Sequence, residues 1–173
     1  MFFRHISRLH THGLSLSELL VVLAIVSLSM HVALPTWQQW QERQQAQLAR
    51  DRLVMDVQSA RTQALYAARN LVLQATQDCP WHSHNATDWS CGWQLIDPQS
   101  TSPLQTTALP YPLQVRFTKS TPLIISEHGD LGQVGDRWTV QSRAASTSST
   151  TAAYSLCLSN AGRLRTVASP TCN

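Results

Sequence analysis

Two arginines near the C-terminus have the type and spacing of a phosphate-binding motif. They lie in the segment Gly162-Arg163-Leu164-Arg165. Glycine permits a tight turn with positive φ, and residues two apart in a strand face the same side. Arg163 and Arg165 are therefore predicted to project together while Leu164 packs inward. Because each guanidinium presents a planar fork of donors that matches phosphate oxygens, the pair predicts a site for a phosphate backbone.

The surroundings of this motif favour a polyanionic ligand. Residues 141–173 contain the motif and Arg143 but no acidic residue, and Lys119 and Arg116 are candidates to extend the basic surface. Contacts to phosphates carry little sequence information, so we expect such binding to be non-specific and sensitive to salt. The alternative, from the residues alone, is that the arginines protect an edge strand from aggregation or contact neighbouring subunits.

Four cysteines are compatible with two disulfides or with a metal site. Three pairings are open from the sequence, and the most local one joins Cys79 to Cys91 and Cys157 to Cys172. Closing loops of this size stabilises a fold by roughly 3 kcal/mol each in the chain-entropy model. The alternative is a zinc site made of Cys79, His82, His84 and Cys91. That spacing matches no familiar zinc finger, and export favours disulfides, so we expect no bound metal.

The sequence contains no recognisable catalytic constellation. No serine lies in a Gly-x-Ser-x-Gly turn, and no glycine-rich phosphate loop is present. His128 lies beside Glu127 and Asp130, and an exposed turn explains this group better than an acid–base pair. We therefore predict a protein without catalytic activity and without a cofactor.

The chain has 173 residues, enough for one domain, and its formal net charge of +3 is too small by itself to indicate a nucleic-acid binder.

One segment has the length and apolarity of a membrane helix. Residues 14–34 are mainly apolar and have Glu18 as their only formal charge, and a helix of this length spans a hydrocarbon core of about 30 Å. Arg4 and Arg8 precede it, so its N-terminus is predicted to be cytoplasmic and the remainder exported. A carboxylate in such a segment is costly, so Glu18 is predicted to have a function.

The start of this segment, Gly13-Leu14-Ser15-Leu16-Ser17-Glu18, resembles the prepilin motif of type IV pilins and type II secretion pseudopilins. The resemblance implies that a prepilin peptidase cuts after Gly13 and methylates Leu14, and that the helix is kept, unlike a cleaved signal peptide. Glu18 and Pro35 stand where that family has its glutamate and proline. The resemblance further implies that Glu18 pairs with the terminal amine of a neighbouring subunit during assembly. Pro35 lacks an amide hydrogen and is expected to kink or loosen the helix.

The remaining sequence predicts a helix followed by strands. Residues 36–70 contain no Gly or Pro and have one apolar face, formed by Leu53, Val54, Val57, Ala60, Ala64, Ala68 and Leu71. Short runs with β-branched and aromatic residues then predict strands at Leu71–Thr76, Gly92–Asp97, Leu113–Thr118, Leu123–Ser126, Arg137–Gln141, Tyr154–Ser159 and Leu164–Val167. Residues 144–153 are predicted to form an exposed loop.

The predicted fold is α+β, in four segments. A leader (residues 1–13) precedes a long N-terminal helix with a transmembrane half (residues 14–35) and a stalk half (residues 36–70). The helix packs against a mainly antiparallel β-sheet head (residues 71–173), as in the type IV pilin fold that the resemblance implies.

This order of elements resembles the GspH/FimT group of minor pilins, and Gly-Arg-x-Arg near a C-terminal cysteine resembles the FimT minor pilins of DNA-uptake type IVa pili. The resemblance implies a precursor in the bacterial inner membrane with its head in the periplasm, and later a place in the extracellular pilus. It also implies binding of double-stranded DNA for natural transformation at the motif of Gly162, Arg163 and Arg165. Arg143 is a further candidate, and Lys119 is the residue that would extend this basic surface. Other partners would be major and minor pilins and the prepilin peptidase. The rival hypothesis is a structural minor pilin or type II secretion pseudopilin that primes fibre assembly without binding DNA.

Overall fold

A computed structural model describes residues 15–100, 102–110, 112–132, 135–143, 153–159 and 162–172, without the side chains of residues 31–36. Gly13, Leu14, the side chain of Pro35 and nearly all of the predicted loop at 144–153 lie outside the described residues. The chain divides into two compact units, residues 1–39 and 40–173. Its elements are α1 (Leu16–Ala67), β1 (Leu71–Ala75), β2 (Gly92–Ile96), β3 (Pro103–Ala108), β4 (Leu113–Phe117), β5 (Leu123–Ile125), β6 (Arg137–Ser142), β7 (Tyr154–Leu158) and β8 (Leu164–Val167).

The two ends of α1 are fixed by local hydrogen bonds. Ser15 is the N-cap, and its Oγ accepts a hydrogen bond of 3.2 Å from the amide of Glu18, whose negative charge also suits the first turn of a helix. At the other end Ala68 adopts a φ of 48°, and the amide of Arg69 donates to the carbonyl of Ala64 at 3.2 Å. This left-handed cap ends the helix at Ala67, three residues before the predicted boundary.

The N-terminal part of α1 continues through position 35, and the kink or loosening expected at Pro35 stays a prediction. No helix in the described part of the chain is long and apolar enough to cross a membrane. The membrane segment at residues 14–35 therefore stays a prediction.

In the part of the chain that the structure describes, eight strands pair antiparallel, as predicted for the head, but they form two four-stranded sheets and not one. The first sheet has the order β3-β2-β1-β5 and the second has the order β4-β6-β7-β8. Seven strands lie where the sequence predicts them, but β3 was missed. Its sequence, Pro-Leu-Gln-Thr-Thr-Ala, buries only Thr107 because it is an edge strand that begins at a proline, so it has no apolar alternation to detect.

The core of the second unit lies between the stalk part of α1 and the sheets. Four residues of the predicted apolar face are fully buried: Leu53, Val57, Ala60 and Ala64. They lie in a cluster that also contains three tryptophans, Trp89, Trp93 and Trp138. Val54 is half-buried, whereas Ala68 is exposed and Leu71 belongs to β1, because α1 ends at Ala67. The small alanines let the helix backbone approach the sheets closely.

A buried carboxylate fastens α1 to the first sheet. Asp56 accepts hydrogen bonds from Trp93 Nε1 at 2.8 Å, Thr107 Oγ1 at 2.7 Å and Gln105 Nε2 at 2.9 Å. Arg52, one turn before Asp56 on the helix, lies 3.3 Å from it and supplies a counter-charge. Burying a charge is costly unless it is paired and hydrogen-bonded, and both conditions hold here.

Candidate nucleic-acid interface

The arginine motif begins at a turn that α1 holds in place. Gly162 has a φ of +70°, and its amide donates to the carbonyl of Ser159 at 2.9 Å while the amide of Ser159 donates to the carbonyl of Arg163 at 2.9 Å. Arg61 of α1 donates to the carbonyls of Gly162 at 3.1 Å and of Gly129 at 2.8 Å. The helix therefore fixes two turns of the head with one guanidinium.

The structure places Arg163 and Arg165 at the same groove. Arg163 precedes β8, Arg165 lies within it, and both side chains are exposed. Leu164 between them is half-buried and packs against the core. The groove has a volume of about 710 Å³, and Asp136 and Cys172 also line it. This is the arrangement that period-two alternation predicts for the motif.

The two arginines differ in how firmly they are held. Arg165 Nη2 donates to the carbonyl oxygen of Cys172 at 2.9 Å, so a neutral acceptor orients this guanidinium without cancelling its charge. The guanidinium of Arg163 makes no hydrogen bond or ion pair with any residue that the structure describes. Its donors therefore remain available for a ligand.

Two disulfides are present, and one of them secures the C-terminal tail beside the groove. Cys157 is joined to Cys172, and Cys79 is joined to Cys91, which is the most local of the three pairings. Ser155 Oγ donates to the carbonyl of Ser169 at 2.6 Å and so holds the tail at a second point. Because all four sulfurs are in disulfides, Cys79 and Cys91 cannot act as thiolate ligands in the alternative zinc site with His82 and His84.

The register of the second sheet defines a face that points away from the core, here called the outer face. Alternate residues of β4, β6, β7 and β8 lie on it: Gln114, Arg116, Arg137, Thr139, Gln141, Ser155, Cys157, Arg165 and Val167. Residues directly opposite in antiparallel strands share a face, while Val115, Trp138 and Leu156 point into the core. The bonds of Cys157 and Ser155 to the tail place residues 169–172 against this face.

Lys119 lies beside the groove and is engaged with an acidic residue. Its Nζ is 2.9 Å from Asp136 Oδ2, and Asp136 is buried. Thr118 Oγ1 donates to the other carboxylate oxygen at 3.2 Å. The only carboxylate among the groove residues that the structure describes is therefore neutralised by Lys119.

Arg143 is not brought together with the motif. It follows the C-terminal end of β6, whereas Arg137, at the opposite end, is the residue aligned with Cys157 and Arg165. Its Nη2 donates to the carbonyl of Trp81. The absence of acidic residues from 141–173 favours Arg143, but proximity along the chain does not give proximity on a sheet.

Arg137, which was not predicted as a site residue, lies near the motif. It aligns with Cys157, which in turn aligns with Arg165, so all three lie in one row across the outer face. Half-buried and buried residues alternate along β6, and this alternation indicates that the side chain of Arg137 points outward. The pairing of β6, β7 and β8, which brings Arg137 near the motif, has no local signal.

Other polar groups of the head serve local structure. Burial alone would raise the pKa of Asp88, but hydrogen bonds from Ser83 and Ser90 outweigh it and hold that pKa below its usual value. A backbone hydrogen bond from Gln99 lowers the pKa of Asp97 below its usual range, with a contribution from Arg69. The residues His128 and Glu127 are 3.8 Å apart and both exposed, as expected for a surface turn.

Comparisons with known proteins identify the fold. No protein-family model matches the sequence, and no curated protein matches it. The structure is similar to the type IV minor pilin FimU of Pseudomonas aeruginosa, with a TM-score of 0.56 and 22% identity over 73% of this chain and 90% of that one. A second crystal form of FimU gives a TM-score of 0.54 with 21% identity over 70% and 91%. The minor pseudopilin EpsH from the Type 2 Secretion System of Vibrio cholerae gives 0.52, with 12% identity over 72% of this chain and 97% of that one. The chain therefore has the type IV pilin fold, an α+β fold with a long N-terminal helix packed on antiparallel sheets.

Proposed function

We propose that this chain is a minor pilin of the GspH/FimT group that binds extracellular double-stranded DNA without sequence preference and serves in DNA uptake. The observation that carries this function is the pair of exposed guanidinium groups, Arg163 and Arg165, at one groove of about 710 Å³. The fold, which FimU and EpsH share, supports the assignment to a pilin-like class.

The electrostatics of the groove support binding to phosphates. Arg163 has no acceptor in the described protein, and Arg165 has a neutral one, so both keep their positive charge. Asp136 would repel a phosphate, but the ion pair with Lys119 neutralises it. We assign Lys119 this neutralising role instead of a direct contact. Gly162 contributes the turn that places Arg163, and Arg143 is left without a DNA-binding role.

Binding of this kind reads the backbone and not the bases. Each phosphate contact releases condensed counterions, so log K falls with log salt with a slope of about −0.9 per contact. No exposed aromatic side chain lines the groove among the residues described, so stacking on bases is not part of the proposal. We therefore expect similar affinity for duplexes of different sequence.

The N-terminal motif supports a place in a fibre. We propose cleavage after Gly13, methylation of Leu14, retention of the helix in the inner membrane before assembly, and pairing of Glu18 with the terminal amine of a neighbouring subunit. Ser15, the N-cap, then becomes the second residue of the mature chain, next to the new amine. Removing the carboxylate by Glu18→Ala should prevent incorporation into pili, and normal incorporation would contradict this role.

A structural minor pilin or pseudopilin is the second candidate, and the similarity to EpsH favours it. The two functions are separated by a mobility-shift assay of the full-length protein in detergent micelles on duplex DNA at rising salt. We expect binding at low salt that weakens in Arg163→Ala and Arg165→Ala, each with a slope flatter by about 0.9. Absence of binding at low salt, or binding indifferent to both substitutions, would reject DNA binding and leave the structural role.

A further inference from the structure

The outer face carries a third guanidinium group in register with the arginine motif. Arg137 of β6 aligns with Cys157 of β7, which aligns with Arg165 of β8. Neighbouring strands are about 4.8 Å apart, so the Cα atoms of Arg137 and Arg165 are separated by roughly 10 Å across the sheet. Arg163 lies two residues before Arg165, roughly 7 Å along an extended chain. The three side chains therefore originate from one compact area.

The charge of Arg137 is not cancelled by the protein. Its side chain is half-buried, and its guanidinium makes no hydrogen bond or ion pair with any residue that the structure describes. The preceding residue is Asp136, whose carboxylate is buried and paired with Lys119 at 2.9 Å. The donors of the Arg137 guanidinium are therefore available for a ligand.

Arg116 lies farther from the motif than Arg137 does. It is also on the outer face, but it belongs to β4, three strands away from β8, whereas Arg137 belongs to β6, two strands away from β8. At about 4.8 Å per strand, the Cα atom of Arg116 is roughly 14 Å or more from that of Arg165. Arg137 is therefore the arginine of β4 and β6 that lies nearer to the motif.

We propose that Arg137 is a third phosphate-binding residue, acting with Arg163 and Arg165 on the same duplex. The uncharged tail, residues 169–172, lies against the row between Arg137 and Arg165, so a bound backbone would contact arginines on both sides of it. Double-stranded DNA carries one charge per about 1.7 Å of helix axis, so phosphates are available to all three groups. This inference rests on the proposed function.

The test is the salt dependence of duplex binding for full-length Arg137→Gln in detergent micelles. With three contacts, affinity should fall about 40-fold between 50 and 200 mM salt, and with two contacts about 12-fold. The matched control is Arg43→Gln, because Arg43 is an exposed arginine of α1, which packs on the opposite side of the sheet from the outer face. Arg137→Lys keeps the charge and should keep the slope. Thermal unfolding and near-UV circular dichroism of each variant verify that it is folded.

The outcomes separate this inference from the proposed function. A flatter slope in Arg137→Gln, with Arg43→Gln unchanged, supports the third contact. An unchanged slope in Arg137→Gln, together with flatter slopes in Arg163→Ala and Arg165→Ala, overturns the inference alone. Indifference of all three positions overturns the proposed function as well. An equal loss in Arg137→Gln and Arg43→Gln shows that only net charge matters, and it also overturns the inference.

Discussion

The disulfide at the arginine surface is expected to support both stability and DNA binding, whereas its counterpart is expected to support stability alone. Cys157–Cys172 closes a sequence separation of 15 residues, and Cys79–Cys91 closes one of 12. Each bond joins a buried cysteine to a half-buried one. The two disulfides therefore match in loop size and burial, but only Cys157–Cys172 holds the C-terminal tail beside the arginines.

The stability effect follows from loop closure. In the chain-entropy model, removing either bond costs about 3 kcal/mol. We would replace the buried cysteine by alanine and the half-buried one by serine, giving Cys157→Ala with Cys172→Ser and Cys91→Ala with Cys79→Ser. Chemical denaturation should show similar losses for the two double variants. A domain of this size with a usual stability of 5–15 kcal/mol remains mostly folded after such a loss.

The binding effect should differ between the two variants. The carbonyl of Cys172 orients Arg165, so releasing the tail restores the rotational freedom of that side chain. Ordering one long side chain at an interface costs about 0.5–1.5 kcal/mol, which corresponds to a loss of roughly two- to tenfold in affinity. No charge is removed, so the slope of log K against log salt should not change.

The assay is duplex binding by the full-length double variants at a temperature where denaturation curves show both to be folded. The expected result is weaker binding with an unchanged salt slope for the tail variant, and wild-type binding for the variant without Cys79–Cys91. Equal losses in both variants would show that general destabilisation explains the effect. Wild-type affinity in the tail variant would refute the orienting role of the Cys172 carbonyl.

Three further predictions concern carboxylates. Lys119→Met should weaken duplex binding several-fold, because it leaves the charge of Asp136 without its partner. Adding Asp136→Asn should restore the binding, and no restoration in the double variant would contradict the neutralising role of Lys119. Asp56→Leu should lower the free energy of unfolding by about 3–5 kcal/mol, because buried donors including Trp93 Nε1 lose their acceptor. Asp56→Asn should lower it by less, and equal losses of the two variants in chemical denaturation would argue against this network. The pKa of Asp88 is lower in the folded state, so its contribution to stability is present above the unfolded value of about 3.8 and is lost as pH falls below it. Asp88→Asn should therefore make the free energy of unfolding fall less steeply at acidic pH. An unchanged pH dependence would refute this.

Local patterns in the sequence predict most elements of this fold because the elements are encoded over short distances. The spacing of Leu53, Val57, Ala60 and Ala64 predicts the buried face of α1, and those four side chains are fully buried. The alternation in Arg137–Ser142 predicts a strand with one side in the core. The strand β3 is not predictable in this way, because most of its side chains are exposed and its sequence has no apolar alternation.

The arrangement of the strands depends on pairings between distant segments, and this is where prediction from the sequence ends. The strand β1 pairs with β5, which follows it by some 50 residues, and the division into two sheets depends on that choice. The same limit applies to the candidate site. Arg163 and Arg165 could be found because two residues of one strand form the motif. Arg137 was missed and Arg143 was included because strand register, not position in the chain, determines which arginine lies near them.

The distribution of neutralised and unneutralised charge gives more information about the ligand than the net charge of +3. Arg61 and Arg69 hold turns or acidic groups, and Lys119 neutralises Asp136, so these cations are occupied by the fold itself. Arg137 and Arg163 make no such side-chain contact with the described residues, and Arg165 donates to the neutral carbonyl of Cys172. The strand register places these three arginines near the Cys157–Cys172 tail. Under the proposed function, these three arginines predict a salt slope set by three contacts instead of by the net charge of the chain.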